Sequence, residues 1–234
     1  MAVIRILVCV LALLSLADRV HAQDSEDFGI WLGIFANGKL PSSLNDDRGS
    51  WRLWTDVQLR FGDDASRFSQ GVLRPGIGYA VGRGWTVWGG YAYIRTDPPY
   101  STSTTNEQRI WEQASWSGAI GTTTVSSRTR MEQRFVSTGS DTGWRLREFV
   151  KVARPLSTRK VWSAVISDEI FLNLNSTNFG ASAGTDRNRF FVGPGVVLNK
   201  ALVLEIGYLN QYTFRSNGPD KNDHLFATNL FWSF

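Results

Sequence analysis

The 234-residue chain has one cysteine and two histidines. Cys9 and His21 both fall in its first 22 residues, which read as a secretory leader. Arg5 supplies the positive start, Ile6 to Leu16 an eleven-residue apolar run, and Val20-His21-Ala22 a small-x-small cleavage site. The run is shorter than the roughly 20 residues a spanning helix needs. With residues 1–22 set aside, residues 23–234 form one expected domain with no cysteine and a single histidine, His224. Disulfides, thiolate catalysis, zinc fingers and histidine-rich metal sites are thereby excluded, and no metal or cofactor is expected. Lysine is scarce too, at 5 against 18 arginines beyond residue 22. With 20 acidic residues the balance there is +3, and no basic run is present, so nucleic-acid binding is not expected.

Helical periodicity is the next absence. Candidate helices break within a few residues on Gly, Pro or β-branched positions, and what recurs is strand-like alternation followed by a turn cluster. Ser50–Phe61 shows it best. Trp51, Leu53, Val57, Leu59 and Phe61 fall on one face, and Arg52, Trp54, Asp56, Gln58 and Arg60 on the other. Similar segments are Phe68–Val81, Trp85–Arg95, Asn106–Ser117, Thr122–Val136, Gly143–Val152, Val161–Asn175, Arg187–Leu198, Leu202–Tyr212 and His224–Phe234, with a less regular one at Phe28–Asn37. Gly, Asn, Asp, Pro and Ser clusters separate them.

Many short strands fit a soluble sandwich or a closed barrel. The polar face decides between them. It carries Arg with Glu, Gln and Asn, together with aromatics and Gly, where a solvated sheet would show Lys, Glu, Ser and Thr. Arginine suits fixed, multiply hydrogen-bonded pairs. The pattern describes an enclosed polar interior and an apolar exterior. Connections near 96–105, 175–186 and 213–223 are long, while those near 82–84, 118–121 and 199–201 are tight, as in outer-membrane barrels with short periplasmic turns and longer extracellular loops.

Phe226, Leu230, Trp232 and Phe234 share one face of the last segment, a pattern resembling the signal read by barrel-assembly machinery. The expected fold is an all-β, antiparallel transmembrane β-barrel in the cell outer membrane, monomeric and in contact with outer-membrane lipids. The count of segments is eleven, and because single-chain bacterial barrels use even numbers, ten to twelve strands are expected, with twelve favoured. Trp51, Trp85, Trp116, Trp144, Trp162 and Trp232 lie near strand ends, where interfacial girdles sit.

The inward face reads as a dense charged set. Its expected members are Arg109, Arg128, Arg130, Arg134, Arg145, Arg147 and Arg189, balanced by Glu107, Glu132, Glu169 and Glu205. Two functions follow. A salt-bridged interior would rigidify a narrow barrel, and an open one would pass small anionic solutes, since rings of Arg and Lys select anions.

The ordered set WRLWTDVQLR at 51–60, PGIGY at 75–79, NEQRIWEQ at 106–113, RTRMEQRF at 128–135, WRLREF at 144–149, DEIFLN at 168–173, NRFFVGPGVVL at 188–198 and LEIGYLNQY at 204–212 resembles a bacterial domain-of-unknown-function family of predicted outer-membrane barrels. The resemblance covers nearly all of residues 28–234. It implies fold and place, and it transfers no catalytic residue.

The alternative class is a lipid-modifying enzyme. Such chemistry needs a Ser–His arrangement with an orienting group, and only His224 could serve, next to Asp223 and near Asp220 and Ser216. Asp97, Asp186, Asp220 and Asp223 are expected on loops, without the spacing of a calcium loop. The protein is not expected to be an enzyme.

Overall fold

The computed structural model describes residues 25–41, 50–216 and 218–234; the expected leader, residues 1–22, lies outside the described residues. Eleven strands make up the described chain: β1 (Ser25–Lys39), β2 (Ser50–Gly62), β3 (Arg67–Gly82), β4 (Trp85–Thr96), β5 (Thr105–Ile120), β6 (Thr123–Val136), β7 (Thr142–Pro155), β8 (Trp162–Asn173), β9 (Gly184–Val197), β10 (Leu202–Thr213) and β11 (Lys221–Ser233). They form a closed barrel in chain order. Sequential neighbours pair antiparallel, and β1 closes on β11 in parallel, from Ser25 opposite Lys221 to Asn37 opposite Ser233.

Two expectations are corrected here. Among the described residues the count is eleven, with no twelfth strand, and the sheet is not wholly antiparallel. An even number follows only if the first and last strands start from opposite rims, so that they can pair antiparallel. Here β1 runs in the direction of β11, and a parallel ladder satisfies its backbone groups as an antiparallel one would. Each of the eleven alternating segments corresponds to one strand.

Strands of 12 to 16 residues give a tall wall. Thirteen residues run about 43 Å, which the roughly 40° tilt of a barrel turns into about 33 Å of height. One rim carries the connections 63–66, 97–104, 137–141, 174–183 and 214–220, and we call it the loop rim. The opposite, turn rim carries 83–84, 121–122, 156–161 and 198–201, along with residues 40 and 41 that follow β1. Gly84 holds φ +83° in the tightest of these, and a Cβ there would stand 2.2 Å from the Ser117 carbonyl oxygen, so only glycine fits.

The outer face is apolar. Leu53, Val57, Leu73, Ile77, Val87, Ile110, Ile166, Val192 and Phe226 are all exposed there. Trp51, Trp85, Trp162 and Trp232 ring the turn rim from outside and Trp144 stands at the loop rim. Trp116 is half-buried and donates its indole N–H to the Arg83 carbonyl at 3.2 Å. On β11, Phe226, Trp232 and the following Phe234 are exposed and Leu230 is half-buried.

Inside, apolar and charged side chains share the lumen. Val72, Trp88, Ala92, Ile94 and Trp111 form a buried cluster against β3 and β4. Trp111 can lie flat on the wall because glycine stands beneath it: a Cβ on Gly76 or Gly90 would come within 2.5 or 2.3 Å of its ring. These glycines are close-approach positions in the strand interior.

Candidate functional site

The geometry of the lumen starts from parity. In β6 every second residue from Arg128 to Arg134 turns inward, and the antiparallel register sets Glu132 opposite Trp111 on β5 and Arg145 on β7. Glu132 is wholly buried. It accepts from Arg145 Nη2 at 2.7 Å and from Arg147 Nη1 at 2.7 Å, with Arg109 Nη1 at 3.4 Å and Arg130 Nη1 at 3.9 Å. From this carboxylate the pairs spread sideways. Arg109 reaches Glu107 at 2.6 Å, and Arg134 also donates to Glu107. Arg147 donates to Glu169 at 2.7 Å, where Arg128 joins it. Arg145 continues to Asp186 at 3.4 Å, which Arg187 meets at 2.7 Å. One lattice thus ties β5, β6, β7, β8 and β9 together.

Such a lattice is a costly way to fill space unless each charge is held. Desolvating an ion costs several kcal/mol, which Coulomb attraction offsets only when the remaining donors and acceptors are also met. The planar, multi-donor guanidinium satisfies this condition better than an ammonium does, which accounts for the ratio of Arg to Lys.

Three residues of the expected network behave differently. Arg130, wholly buried, gives Nε and Nη2 to the Gln113 side-chain oxygen at 2.9 and 2.6 Å, and stacks over Trp111 at 4.5 Å. Glu205 pairs with Lys151 at 2.8 Å, across the lumen from β7. Arg189 gives Nε to Gln211 at 2.8 Å and lies 4.8 Å from the Trp31 ring, with no carboxylate among the described residues within ion-pair distance.

Other lumen residues lie outside the expected network, Asp56 among them on the polar face already read from Ser50–Phe61. Asp56, wholly buried, accepts from Arg74 at 3.1 Å and from Trp54 and Gln58 at 2.8 Å each. Trp31 and Trp111 share parity with charged neighbours, and that parity is the signal that could have found them. Asp186 and Asp223, expected on loops, are strand residues facing the lumen, because β9 and β11 begin earlier than their alternation suggests. Asp223 pairs with Lys221 at 2.7 Å and accepts from Gln211 at 2.9 Å.

The lumen contains two chambers. The one at the turn rim has a volume of about 660 Å³ and includes Arg52, Arg128 and Glu205 in its lining. The one at the loop rim has a volume of about 400 Å³ and includes Glu107, Arg134 and Lys221. Trp31, Arg60, Arg74, Arg147 and Arg189 line both. That shared layer, with Arg130, Glu132 and Asp56 packed beside it, occupies the middle of the barrel.

At the loop rim, Tyr100 reaches in from the 97–104 connection and accepts a hydrogen bond from Trp31 Nε1 at 3.0 Å. Burial pushes its phenol up, so it stays neutral. Asp97, in the same connection, is held below its ordinary value, first by hydrogen bonds from Arg95 and then by Thr104.

His224 stands on the outer face of β11. Tyr208 Oη is 2.6 Å from its Nδ1, the two rings stack at 5.9 Å, and Asn222 is 3.4 Å from Nε2. Asp223 points to the other side of the sheet, Asp220 accepts from Tyr212, and Ser216 pairs with Ser182. The structure does not bring these acids or this serine to the imidazole. The outer face also holds Glu148, which accepts from Thr129 at 2.6 Å, and Asp168, which accepts twice from Asn188 at 3.0 and 2.9 Å.

Fold and lumen together define a closed β-barrel with a buried Arg/Glu network. The chain belongs to the DUF2490 family, described as a protein of unknown function, whose family model it matches over residues 28–222. It is 35% identical over 231 residues to an uncharacterized protein of Methylorubrum extorquens, covering 97% of this chain and 96% of the relative. Among solved structures it is similar to LpxR from Salmonella typhimurium, with a TM-score of 0.48 and 8% identity over 86% of this chain and 88% of that one.

Proposed function

We propose that this protein is a monomeric outer-membrane barrel with a closed lumen, a rigid structural element rather than a solute path. The apolar outer wall and its tryptophan ring support the membrane setting. A closed sheet leaves no edge to face lipid, as a spanning structure requires. The observation that carries the closed reading is the Glu132 carboxylate, without exposed surface and held by Arg145 and Arg147 at 2.7 Å each, in the middle of the barrel. For an anion to pass, this layer would have to break ion pairs on neighbouring strands at once. The short turn rim then faces the periplasm and the loop rim the exterior.

The channel form of the expectation, a narrow path for small anions, needs the same layer to part. Planar-bilayer recording separates the two: the purified barrel is expected to show no conductance steps, and stable anion-selective steps would establish the channel.

A lipid-modifying reading keeps one observation in its favour, the outward His224 with Tyr208 and Asn222 as its polar neighbours. Phospholipid and lipopolysaccharide turnover, compared between wild type and His224→Ala, tests it. Product formation lost in the variant would make the protein an enzyme.

A further inference from the structure

The lattice places a carboxylate within ion-pair distance of most lumen arginines. Two arginines at the shared layer stand apart. Arg60, on β2, donates Nη1 to Gln70 at 2.5 Å and Nη2 to Gln58 at 2.6 Å. Arg189, on β9, donates Nε to Gln211 at 2.8 Å. All three partners are neutral amides. Neither guanidinium has a carboxylate among the described residues within ion-pair distance, and the Nε of Arg60, a residue 7% exposed, has no hydrogen-bond partner. Both cations lie against one indole, that of Trp31, at 3.9 and 4.8 Å from its ring centre.

Two like charges on one ring, both withdrawn from water, are an unbalanced arrangement. The face of an indole attracts a cation only weakly compared with the cost of desolvating it. The other arginines of the layer have carboxylate partners of their own. Arg74 is paired with Asp56, Arg147 with Glu132 and Glu169, and Arg187 with Asp186. Arg60 and Arg189 are thus the two arginines on the floor of the loop-rim chamber that have no ion-pair partner among the described residues.

We propose that the Arg60–Trp31–Arg189 cluster is a binding site for a small phosphate dianion, inorganic phosphate or a small phosphate monoester, entering from the loop rim. Charge sets the class, since two guanidinia are matched by a dianion. Donor number sets it further: each guanidinium has five N–H donors in a planar fork, and most of those on Arg60 and Arg189 have no acceptor among the described residues. A tetrahedral oxyanion offers acceptor oxygens in several directions to forks arriving from two strands. The chamber of about 400 Å³ leaves room for a small organic group as well as the phosphate. Access runs past Tyr100, which hydrogen-bonds Trp31 and fixes the indole between chamber and loop. This site goes beyond the closed-barrel reading, and the two fail separately, because conductance and binding are different measurements.

The test is isothermal titration of inorganic phosphate into the full-length mature barrel in nonionic detergent at low salt. Wild type is expected to bind one phosphate saturably. Arg60→Gln and Arg189→Gln are each expected to weaken binding at least tenfold, while Arg83→Gln, which removes an exposed cation from the opposite, turn rim, leaves it unchanged. In phosphate-free buffer, Arg60→Gln is expected to unfold at or above the wild-type midpoint, because it deletes a buried charge without an ion-pair partner. A flat wild-type titration would overturn the proposal, as would affinity unaffected by both lumen substitutions. A midpoint for Arg60→Gln well below wild type would show its charge already balanced within the barrel, with the same consequence. Binding of dihexanoyl phosphatidic acid without binding of inorganic phosphate would mark a lipid-headgroup site and overturn it too.

Discussion

Arg147 connects two carboxylates on opposite sides of its own strand: its Nη1 is 2.7 Å from Glu132 on β6 and its Nη2 2.7 Å from Glu169 on β8. Neither link is local in sequence, and both depend on the register of β7. The lumen lattice is thus also a register lock, since a one-residue slip of β7 would aim Arg147 at the outer face.

Glu132 is the node of that lattice. Glu132→Gln would leave Arg145 and Arg147 facing a neutral amide inside the barrel. Breaking a buried pair in this way costs about 3–5 kcal/mol. Urea unfolding in detergent is expected to show a loss of that order, and a loss below about 1 kcal/mol would mean that water already reaches the layer.

Adjacent glycines on β4 should respond oppositely. A Cβ on Gly90 would meet Trp111 at 2.3 Å and the Pro75 carbonyl oxygen at 2.4 Å, whereas one on Gly89 would meet nothing within 4 Å. Gly90→Ala is expected to cost about 1–3 kcal/mol through overpacking. Gly89→Ala is expected to be neutral or to stabilise by about 0.4–1 kcal/mol, through a less flexible unfolded chain. Thermal unfolding of the pair checks the inward placement of Trp111.

Glu148 lies midway along β7 on the outer face, accepting from Thr129. Under the membrane reading its charge meets hydrocarbon, a depth-dependent cost on such walls. Glu148→Gln keeps an acceptor for Thr129 and removes the charge. Unfolding measured in phospholipid vesicles should show a gain of about 1 kcal/mol, and a loss would argue that this face meets something other than lipid.

The 97–104 connection should loosen in acid. Hydrogen bonds from Arg95 and Thr104 hold the folded Asp97 carboxyl below its ordinary value. A carboxylate lowered on folding contributes stability above its unfolded value, about 4, and loses it as pH falls through the lowered one. The protection of amide hydrogens in residues 97–104, taken relative to their intrinsic exchange rates at each pH, is expected to be flat from neutrality to about pH 4 and to fall below it. Asp97→Asn should abolish that pH step.

Much of this architecture was written in alternation. Period-two patterning marks a strand wherever one face differs from the other, and the Arg-rich face of Arg128 to Arg134 announced which side was enclosed. A closed barrel was legible, but its parallel seam between β1 and β11 was not. Strand parity rests on where β1 starts, and Phe28–Asn37 alternates poorly because Trp31 turns inward and Gly29 and Gly33 add no side chain. The Arg60–Arg189 pairing was hidden for a different reason. It joins β2 to β9 across the lumen, a contact that no local spacing encodes. Asp223 and Asp186 were misplaced because a polar strand end and a loop have the same composition.

The central claim is that the middle of the lumen is closed by the layer around Glu132. Single-channel recording of wild type beside an Arg130→Ala/Glu132→Ala double variant tests it most directly, with heat-modifiable migration on gels confirming that both are folded. The account predicts a silent wild type and a variant that conducts in discrete steps. Stable ohmic steps from the folded wild-type barrel would contradict it.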